Sequence, residues 1–132
     1  MLIDKIINLK AKCCIEDEIG EEFNLSVREL SCIFCLKDGE MIHSKDLSMK
    51  INLSPSRGSR IINGLIQKGY LLETHNPDDK RYTNLSISEK GLDIYKEANK
   101  KKYECEKRLL GNLNNNQKRL VEEGLNILLG VM

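Results

Sequence analysis

The chain has 132 residues and a formal net charge of +1; hydrophobic residues make up 40% and aromatic residues 5%, with no tryptophan. This length predicts one domain with a hydrophobic core, and the shortage of aromatic side chains argues against a stacking surface for single-stranded nucleic acid. No apolar run approaches the length of a membrane span, and residues 1–5 lack a signal-peptide layout. We therefore expect a soluble cytoplasmic protein with no membrane partner.

The small net charge conceals a gradient along the chain. Residues 1–42 hold 5 Lys and Arg against 9 Asp and Glu, residues 43–91 hold 8 against 5, and residues 92–132 hold 8 against 6. The positive excess therefore includes the middle segment, where a contact with phosphate would require it. An excess of this size also occurs in domains that bind no nucleic acid.

Three helices are predicted before residue 54. Apolar residues recur at helical spacing over residues 2–19, which predicts a helix that ends near Gly20. Ser26 can cap a second helix that runs to about Lys37. A short third helix follows, with Ser44 as its expected N-cap.

The fourth predicted helix begins at Ser54 and Pro55 and runs to about Lys68. Serine caps a helix well, and proline is tolerated at the first helical position because its missing N–H would have no intrahelical partner there. Isoleucine and leucine form one face of this helix. The other face carries Ser56, Arg57, Ser59, Arg60 and Asn63.

This polar face is typical of a recognition helix that enters the major groove of DNA. Arg57 and Arg60 lie three residues apart, on one face, and arginine can donate two hydrogen bonds to guanine. The serines and Asn63 can bind phosphates or bases. The alternative is the solvated face of an ordinary amphipathic helix.

A β-hairpin is predicted directly after this helix. Residues 70–72 begin a strand, the Asn-Pro-Asp-Asp cluster at residues 76–79 favours a turn, and residues 82–87 alternate between polar and apolar side chains. A hairpin with a basic tip at this place is typical of the wing of a winged helix. The hairpin therefore favours DNA binding over the solvated-face alternative.

The tip of the hairpin carries Lys80 and Arg81. Asp79 can form an ion pair with Arg81, which would stiffen the tip for insertion into the minor groove. The alternative is a surface ion pair that contributes little.

Two more helices are predicted after the hairpin, one from residues 88–91 to about Leu110 and one capped by residues 114–116. The terminal helices are rich in leucine and isoleucine and have no other obvious partner in a small winged core, which favours a homodimer. A two-fold dimer would bind a pseudo-palindrome with half-sites about 10 base pairs apart.

Three runs together resemble the MarR/SlyA family of bacterial transcription regulators. These runs are residues 53–60 (Leu-Ser-Pro-Ser-Arg-Gly-Ser-Arg), 65–71 (Leu-Ile-Gln-Lys-Gly-Tyr-Leu) and 79–91, which includes Asp-Lys-Arg and Leu-Ser-Ile-Ser-Glu-Lys-Gly. The resemblance covers about residues 26–91, and the flanking helices match only in length and polarity. One departure is Thr74, where the family often has an arginine after the glutamate that matches Glu73.

The resemblance implies an α+β, mostly helical fold. A winged helix-turn-helix core spans about residues 26–91 of a single domain (residues 1–132), and helices in residues 1–25 and 92–132 form the dimerisation region. The implied function is a transcriptional regulator, expected to be a repressor, that binds double-stranded DNA as a homodimer without a cofactor. A small molecule or an oxidant would release it. The expected DNA-binding residues are Ser44, Ser54, Ser56, Arg57, Ser59, Arg60, Asn63, Asp79, Lys80 and Arg81.

The five cysteines form the other set of reactive side chains. They are candidates for a thiol switch or a soft-metal site, since thiolates suit both, although an odd number in a cytoplasmic chain argues against a structural disulfide framework. The alternative is that they pack as small hydrophobic side chains. The set is Cys13, Cys14, Cys32, Cys35 and Cys105.

Catalysis is not expected. His43 and His75 belong to no recognisable catalytic set, and there is no glycine-rich phosphate loop or nucleophile elbow. Two other functions stay open: a winged-helix module that binds proteins and no specific DNA, and a sensor in which the cysteines carry the main function.

Overall fold

The computed structural model describes residues 1–131, with side chains throughout except those of Asn76 and residues 79–82. The described residues form seven helices and three strands. In chain order the elements are α1 (Leu2–Lys12), α2 (Ile15–Phe23), α3 (Val27–Phe34), β1 (Ile42–His43), α4 (Ser44–Lys50), α5 (Pro55–Gln67), β2 (Leu71–Asn76), β3 (Asp79–Ile87), α6 (Glu89–Leu110) and α7 (Asn115–Gly130). Within these residues no helix is long and apolar enough to cross a membrane.

The chain divides into two compact units, residues 1–99 and residues 100–132. The first unit contains the hydrophobic core. Its side chains come from α2 to α5, the sheet and the start of α6. The fully buried members include Ile19, Leu30, Ile33, Leu36, Leu47, Leu65, Leu71, Leu85 and Ile94. In the second unit, α7 has no buried residue.

The first predicted helix is wrong in extent, because the chain forms two helices there. The break lies at Cys13 and Cys14. Lys10 and Lys12 occupy the last turn of α1, and the acidic run at residues 16–18 occupies the first turn of α2. Each charge is favourable at its end of a helix dipole, so two helices suit this charge order better than one.

The start of α4 also differs from the prediction. His43, not Ser44, is the N-cap, and its Nδ1 accepts a hydrogen bond from the Lys45 N–H at 3.2 Å. Position 43 also ends β1, a two-residue strand that the sequence did not indicate. The predicted starts of α3 at Ser26 and α5 at Ser54 are confirmed, and α7 starts within the predicted residues 114–116, at Asn114. Each of the three cap side chains accepts a backbone N–H.

The three strands form one antiparallel sheet in the order β1-β3-β2. Leu71 pairs with Ile87, Glu73 with Leu85 and His75 with Thr83. Residues directly opposite each other in an antiparallel pair project from the same face, and the face changes with every residue. The odd-numbered residues 71, 73, 75, 83, 85 and 87 therefore share the face on which the buried Leu85 packs.

An ion pair joins the start of α3 to the end of α5. The Glu29 carboxylate accepts hydrogen bonds from Lys68 Nζ at 2.9 Å and from the Ser26 N–H at 3.1 Å. Burial opposes ionisation of Glu29, but Lys68 and the N–H and hydroxyl of Ser26 together lower the pKa of this carboxyl below its ordinary value. The contact therefore fixes the end of α5 to the start of α3.

The start of α6 is bonded to the turn that ends α5. The Ser88 hydroxyl donates to the Gly69 carbonyl at 2.6 Å, and Lys90 Nζ donates to the Lys68 carbonyl at 2.7 Å. Gly91 fits there because a Cβ would lie 2.6 Å from the Tyr70 carbonyl oxygen. These contacts connect the fourth predicted helix to the long helix that follows the sheet.

Candidate nucleic-acid interface

The recognition-helix candidate α5 begins as the sequence predicts. The Ser54 hydroxyl accepts the Arg57 N–H at 3.4 Å, and Pro55 occupies the first turn. Gly58, Ile62 and Leu65 are buried on one side. The six candidate side chains of this segment are all at least partly exposed: Ser54, Ser56, Arg57, Ser59, Arg60 and Asn63.

Helices α4 and α5, which form the helix-turn-helix, approach each other closely at one point. A Cβ at Gly58 of α5 would lie 2.5 Å from the Cβ of Ser48 on α4, and closer still to its Oγ. Ser48 is buried, and its hydroxyl donates to the Ser44 carbonyl at 3.0 Å. Glycine at position 58 therefore allows α4 and α5 to approach this closely.

A cleft of about 450 Å³ lies between α4, α5 and the inner face of the hairpin. Ser44, half-buried at the start of α4, reaches this cleft together with the exposed Ser59 and Asn63 of α5. Three of the sequence-predicted residues therefore line one surface depression. Its other lining residues are Lys45, Ser48, Pro55, Ile62, Ile66, Glu73 and Thr83.

The hairpin contributes Glu73 to this surface, a residue that is not among the predicted DNA-binding residues. His75 Nε2 lies 3.6 Å from Glu73 Oε1, and both residues are on the inner face of β2. The strand alternation was a usable signal, because it already placed these residues on the same face as Leu85. Nothing in the sequence showed that this face continues past the core into the cleft.

The tip residues predicted to contact DNA lie outside the described side chains. These are Asp79, Lys80 and Arg81, of which the structure gives only that they belong to β3. The Asp79–Arg81 ion pair stays a prediction.

The cysteines differ in state and environment. Cys13 and Cys105 are disulfide-bonded, whereas Cys14, Cys32 and Cys35 are free thiols. Burial, reinforced by the charges of Cys35 and Glu29, raises the pKa of Cys32 to about 12. A thiol that stays protonated is a poor nucleophile and metal ligand, so the surroundings of Cys32 favour packing. Among the described residues no three His, Cys, Asp or Glu side chains are grouped to hold a metal ion.

Comparison with known proteins shows what the segment that carries this surface is similar to. The sequence model of the MarR family matches residues 25–83, which include α3, α4, α5 and most of the hairpin. The uncharacterized HTH-type transcriptional regulator YdgJ of Bacillus subtilis is 24% identical over 119 residues, which cover 90% of this chain and 68% of YdgJ.

Solved structures have the same fold. YusO from Bacillus subtilis matches with a TM-score of 0.78 and 18% identity over 99% of this chain and 91% of its own. RV1404 from Mycobacterium tuberculosis matches with a TM-score of 0.84 and 14% identity over 98% of this chain and 88% of its own. Apo MarR from E. coli matches with a TM-score of 0.75 and 18% identity over 98% of this chain and 96% of its own. At these identities the likeness shows the fold alone. It confirms the predicted, mostly helical winged-helix architecture.

Proposed function

This chain belongs to the MarR family of transcriptional regulators, and we propose that it is a cytoplasmic repressor that binds a pseudo-palindromic DNA operator as a homodimer. Members of this family regulate transcription and are not enzymes. The observation that carries the proposal is the exposed polar face of α5, with Arg57 and Arg60 on a helix whose opposite side is buried. A helix of this kind can enter the major groove while its neighbours hold its backbone fixed.

The arginines are the side chains expected to discriminate between bases. Arg57 and Arg60 can each donate two hydrogen bonds to a guanine, and Ser56, Ser59 and Asn63 can position the helix on phosphates or bases. At the wing, we propose that Arg81 contacts the minor groove or the backbone, supported by Asp79 and Lys80. Thr74 would lack the backbone contact that an arginine could make there.

The dimer is supported by exposed apolar faces on the terminal helices. No residue of α1 is buried, and Leu2, Ile3 and Ile7 are each more than half exposed. On α7, Leu120 and Leu129 are 55% and 72% exposed. Exposed apolar side chains grouped in this way on a helix are typical of a protein–protein interface. A second copy is the partner proposed for both helices.

DNA binding is tested by selecting bound duplexes from a random pool and measuring affinity against salt concentration. We expect half-sites about 10 base pairs apart and an affinity that falls steeply with salt, because phosphate contacts release counterions. Arg60→Ala and Arg81→Ala should each weaken binding, by about 5- to 150-fold for a lost base contact of about 1–3 kcal/mol. Lys96→Ala, an equal charge change on an exposed part of α6, is the control.

Two results would contradict this assignment. Unchanged affinity in both arginine variants at moderate salt would show that the wrong face was chosen. An affinity without salt dependence would favour the protein-interaction module, since only phosphate neutralisation gives the steep slope.

The homodimer is tested by sedimentation at micromolar concentration. Leu125→Glu places a charge on the apolar face of α7 and should yield monomers, whereas Asn126→Glu at the next, exposed position should leave the dimer intact. A wild-type monomer at this concentration would remove both the dimer and the pseudo-palindromic operator.

The release signal is proposed to be an oxidant or a small molecule. The disulfide-bonded state of Cys13 and Cys105 supports the oxidant. Hydrogen peroxide takes two electrons and two protons from a pair of thiols, leaving one disulfide and two waters. Peroxide should then weaken operator binding by shifting the dimer towards a conformation that does not bind DNA.

The oxidant and the small molecule give different results with cysteine variants. Under oxidant control, Cys13→Ser and Cys105→Ser should each abolish the response to peroxide, and the buried Cys32→Ser should retain it. If peroxide and a reductant both leave the wild-type affinity unchanged, the thiol-sensor alternative is removed and the small molecule is the remaining signal.

A further inference from the structure

Two neighbouring residues in the first turn of α3, Arg28 and Glu29, contact both flanks of the recognition-helix candidate α5. Arg28 Nη1 donates a hydrogen bond at 3.4 Å to the carbonyl of Ile51, which lies shortly before the N-cap Ser54. Glu29 Oε2 accepts a hydrogen bond at 2.9 Å from Nζ of Lys68, the C-cap of α5. One turn of α3 therefore holds both the segment that leads into α5 and the residue that ends it.

The connection between α4 and α5 is short and closely bonded. Ile51 is the C-cap of α4, and Asn52 follows in the left-handed region with a φ of 57°. The Asn52 N–H donates to the Met49 carbonyl at 3.1 Å, and the Leu53 N–H donates to the Ser48 carbonyl at 3.0 Å. This is the Schellman pattern, which satisfies two of the last carbonyls of a helix. The next residue is the N-cap of α5, so a movement of this turn is transmitted directly to the start of α5.

Arg28 satisfies a further carbonyl at this end of α4. The last carbonyls of a helix have no intrahelical donor, and the Ile51 carbonyl lies beyond the two that the turn satisfies. The Ile51 residue is 5% exposed and belongs to the hydrophobic core. A distance of 3.4 Å is long for a hydrogen bond, but the donor is charged and the contact is partly buried. Arg28 thus holds the turn from α3 while the core holds the Ile51 side chain.

Arg28 is poorly placed for the stability of α3 itself. A positive side chain in the first turn faces the positive end of the helix dipole, whereas the adjacent Glu29 is favourable there. Departures from local preference concentrate at positions that have another role in the fold. For Arg28 this role is the contact with Ile51, at the C-terminal end of α4, where the helix dipole attracts a cation.

We propose that Arg28 and Glu29 are positioning residues for DNA recognition, which hold the two flanks of α5 so that its exposed face meets the bases in one orientation. The proposal rests on the proposed DNA-binding function. Neither residue is among the predicted DNA-binding residues, and the role requires neither to touch DNA. Hydrogen bonds to base edges depend on geometry, whereas the attraction to phosphates depends mainly on charge. Loss of either contact should therefore lower the discrimination between bases and leave non-specific binding unchanged.

The experiment measures the Kd of the duplex selected above and the Kd of the same duplex with one base pair changed in one half-site. Arg28→Met keeps the apolar length of the side chain but removes the charged donor. Glu29→Gln keeps an acceptor for the Ser26 N–H but removes the charge that faces Lys68. Each variant should lower the ratio of the changed-duplex Kd to the selected-duplex Kd. The double variant should lower this ratio by about 5- to 150-fold, the discrimination that one bidentate base contact supplies.

The salt dependence of binding distinguishes a positioning residue from a phosphate contact. If Arg28 acts through the turn, the slope of log Kd against log salt concentration in Arg28→Met should equal that of the wild type. If Arg28 contacts a phosphate, the variant should bind all duplexes more weakly and its slope should fall by about 1 per protomer.

Lys37→Met and Glu21→Gln are the matched controls, because they make the same charge changes at exposed positions. Both should keep the wild-type ratio of the two dissociation constants. Circular dichroism at the assay temperature should show every variant folded. A loss of folded protein would weaken binding to both duplexes by the same factor and leave their ratio unchanged.

The outcomes separate this inference from the function on which it rests. If the wild-type chain binds no selected duplex, the DNA-binding function itself fails. If the wild type binds but the double variant keeps the full ratio, or if Arg28→Met lowers the salt slope, only the positioning role is overturned. Equal weakening of both duplexes would assign Arg28 and Glu29 to stability alone and would also overturn it.

Discussion

Gly58→Ala is expected to destabilise the chain although alanine is the better helix former. The added Cβ would lie 2.5 Å from the Cβ of Ser48, where two carbons need about 3.5–4.0 Å. The Ser48 Cβ is bonded directly to the backbone of α4, so it cannot move aside as the end of a flexible side chain could. Helices α4 and α5 must therefore separate by about 1 Å.

The magnitude follows from two opposing terms. Overpacking costs about 1–3 kcal/mol, and a contact that displaces a helix belongs in the upper half of that range. Replacing glycine by alanine inside a helix recovers about 1 kcal/mol. We expect Gly58→Ala to lower the free energy of unfolding by about 1–2 kcal/mol.

Position 64 of the same helix gives a matched control. A Cβ at Gly64 meets no atom within 4 Å, so Gly64→Ala should raise the free energy of unfolding by about 1 kcal/mol. Urea denaturation at one fixed protomer concentration measures both, since the stability of a dimer depends on concentration.

A second substitution tests the cause. Ser48→Gly removes the Cβ and the Oγ that the new methyl group at position 58 would meet, so the double variant should recover about 2 kcal/mol beyond the sum of the single effects. The reasoning is refuted if Gly58→Ala is as stable as Gly64→Ala, or if the two substitutions at positions 48 and 58 are additive.

Three further predictions concern groups around the core. Glu29→Gln keeps the cap acceptor but loses the charge that faces Lys68. The pKa of Glu29 in the folded protein is lowered from its ordinary value of 4.5. The ion pair therefore stabilises the wild type fully at pH values above 4.5, and this stabilisation is lost as the pH falls through the folded pKa. Acid denaturation should therefore be shallower in the variant, and identical curves would contradict the pairing. In alkylation at pH 8, Cys14 should react in the native protein, whereas Cys32 should react only after unfolding, because burial raises the pKa of Cys32 to about 12. Mass spectrometry of the two sites measures this difference, and alkylation of Cys32 in the native protein would contradict it. Tyr95→Phe should lower the free energy of unfolding by about 1 kcal/mol, since its hydroxyl donates to the end of α3, and an unchanged urea midpoint would refute this.

Local signals in the sequence were sufficient for most elements. Ser26, Ser54 and Asn114 each mark a helix start, because a capping side chain acts on backbone within three residues. The hairpin was recoverable because turn residues and alternation are also local. The break between α1 and α2 had its own signal in the change from basic to acidic side chains at residues 10–18, which apolar periodicity alone did not reveal.

Contacts between distant residues were not recoverable in this way. Nothing near position 58 indicates that Ser48 faces it, and nothing near Tyr95 indicates that its hydroxyl bonds the Ile33 carbonyl, 62 positions earlier. Glu73 belongs to the predicted hairpin, but its place in the lining of the cleft depends on how the sheet packs against α5. Charge and spacing in the sequence thus predicted the exposed face of α5. That Glu73 lies beside this face could be seen only in the packed structure.

Both ends of α5 are fixed, and this constrains how any signal can reach it. Near its start, Gly58 lies directly against α4. At its end, Lys68 bonds Glu29 through its side chain and Lys90 through its carbonyl. A helix held at both ends resists local melting, because loosening it exposes the polar groups of several elements together. If a signal releases the proposed dimer from DNA, we therefore expect it to move α5 together with α3, α4 and the start of α6, so that release changes the spacing of the two proposed recognition helices rather than the fold of either.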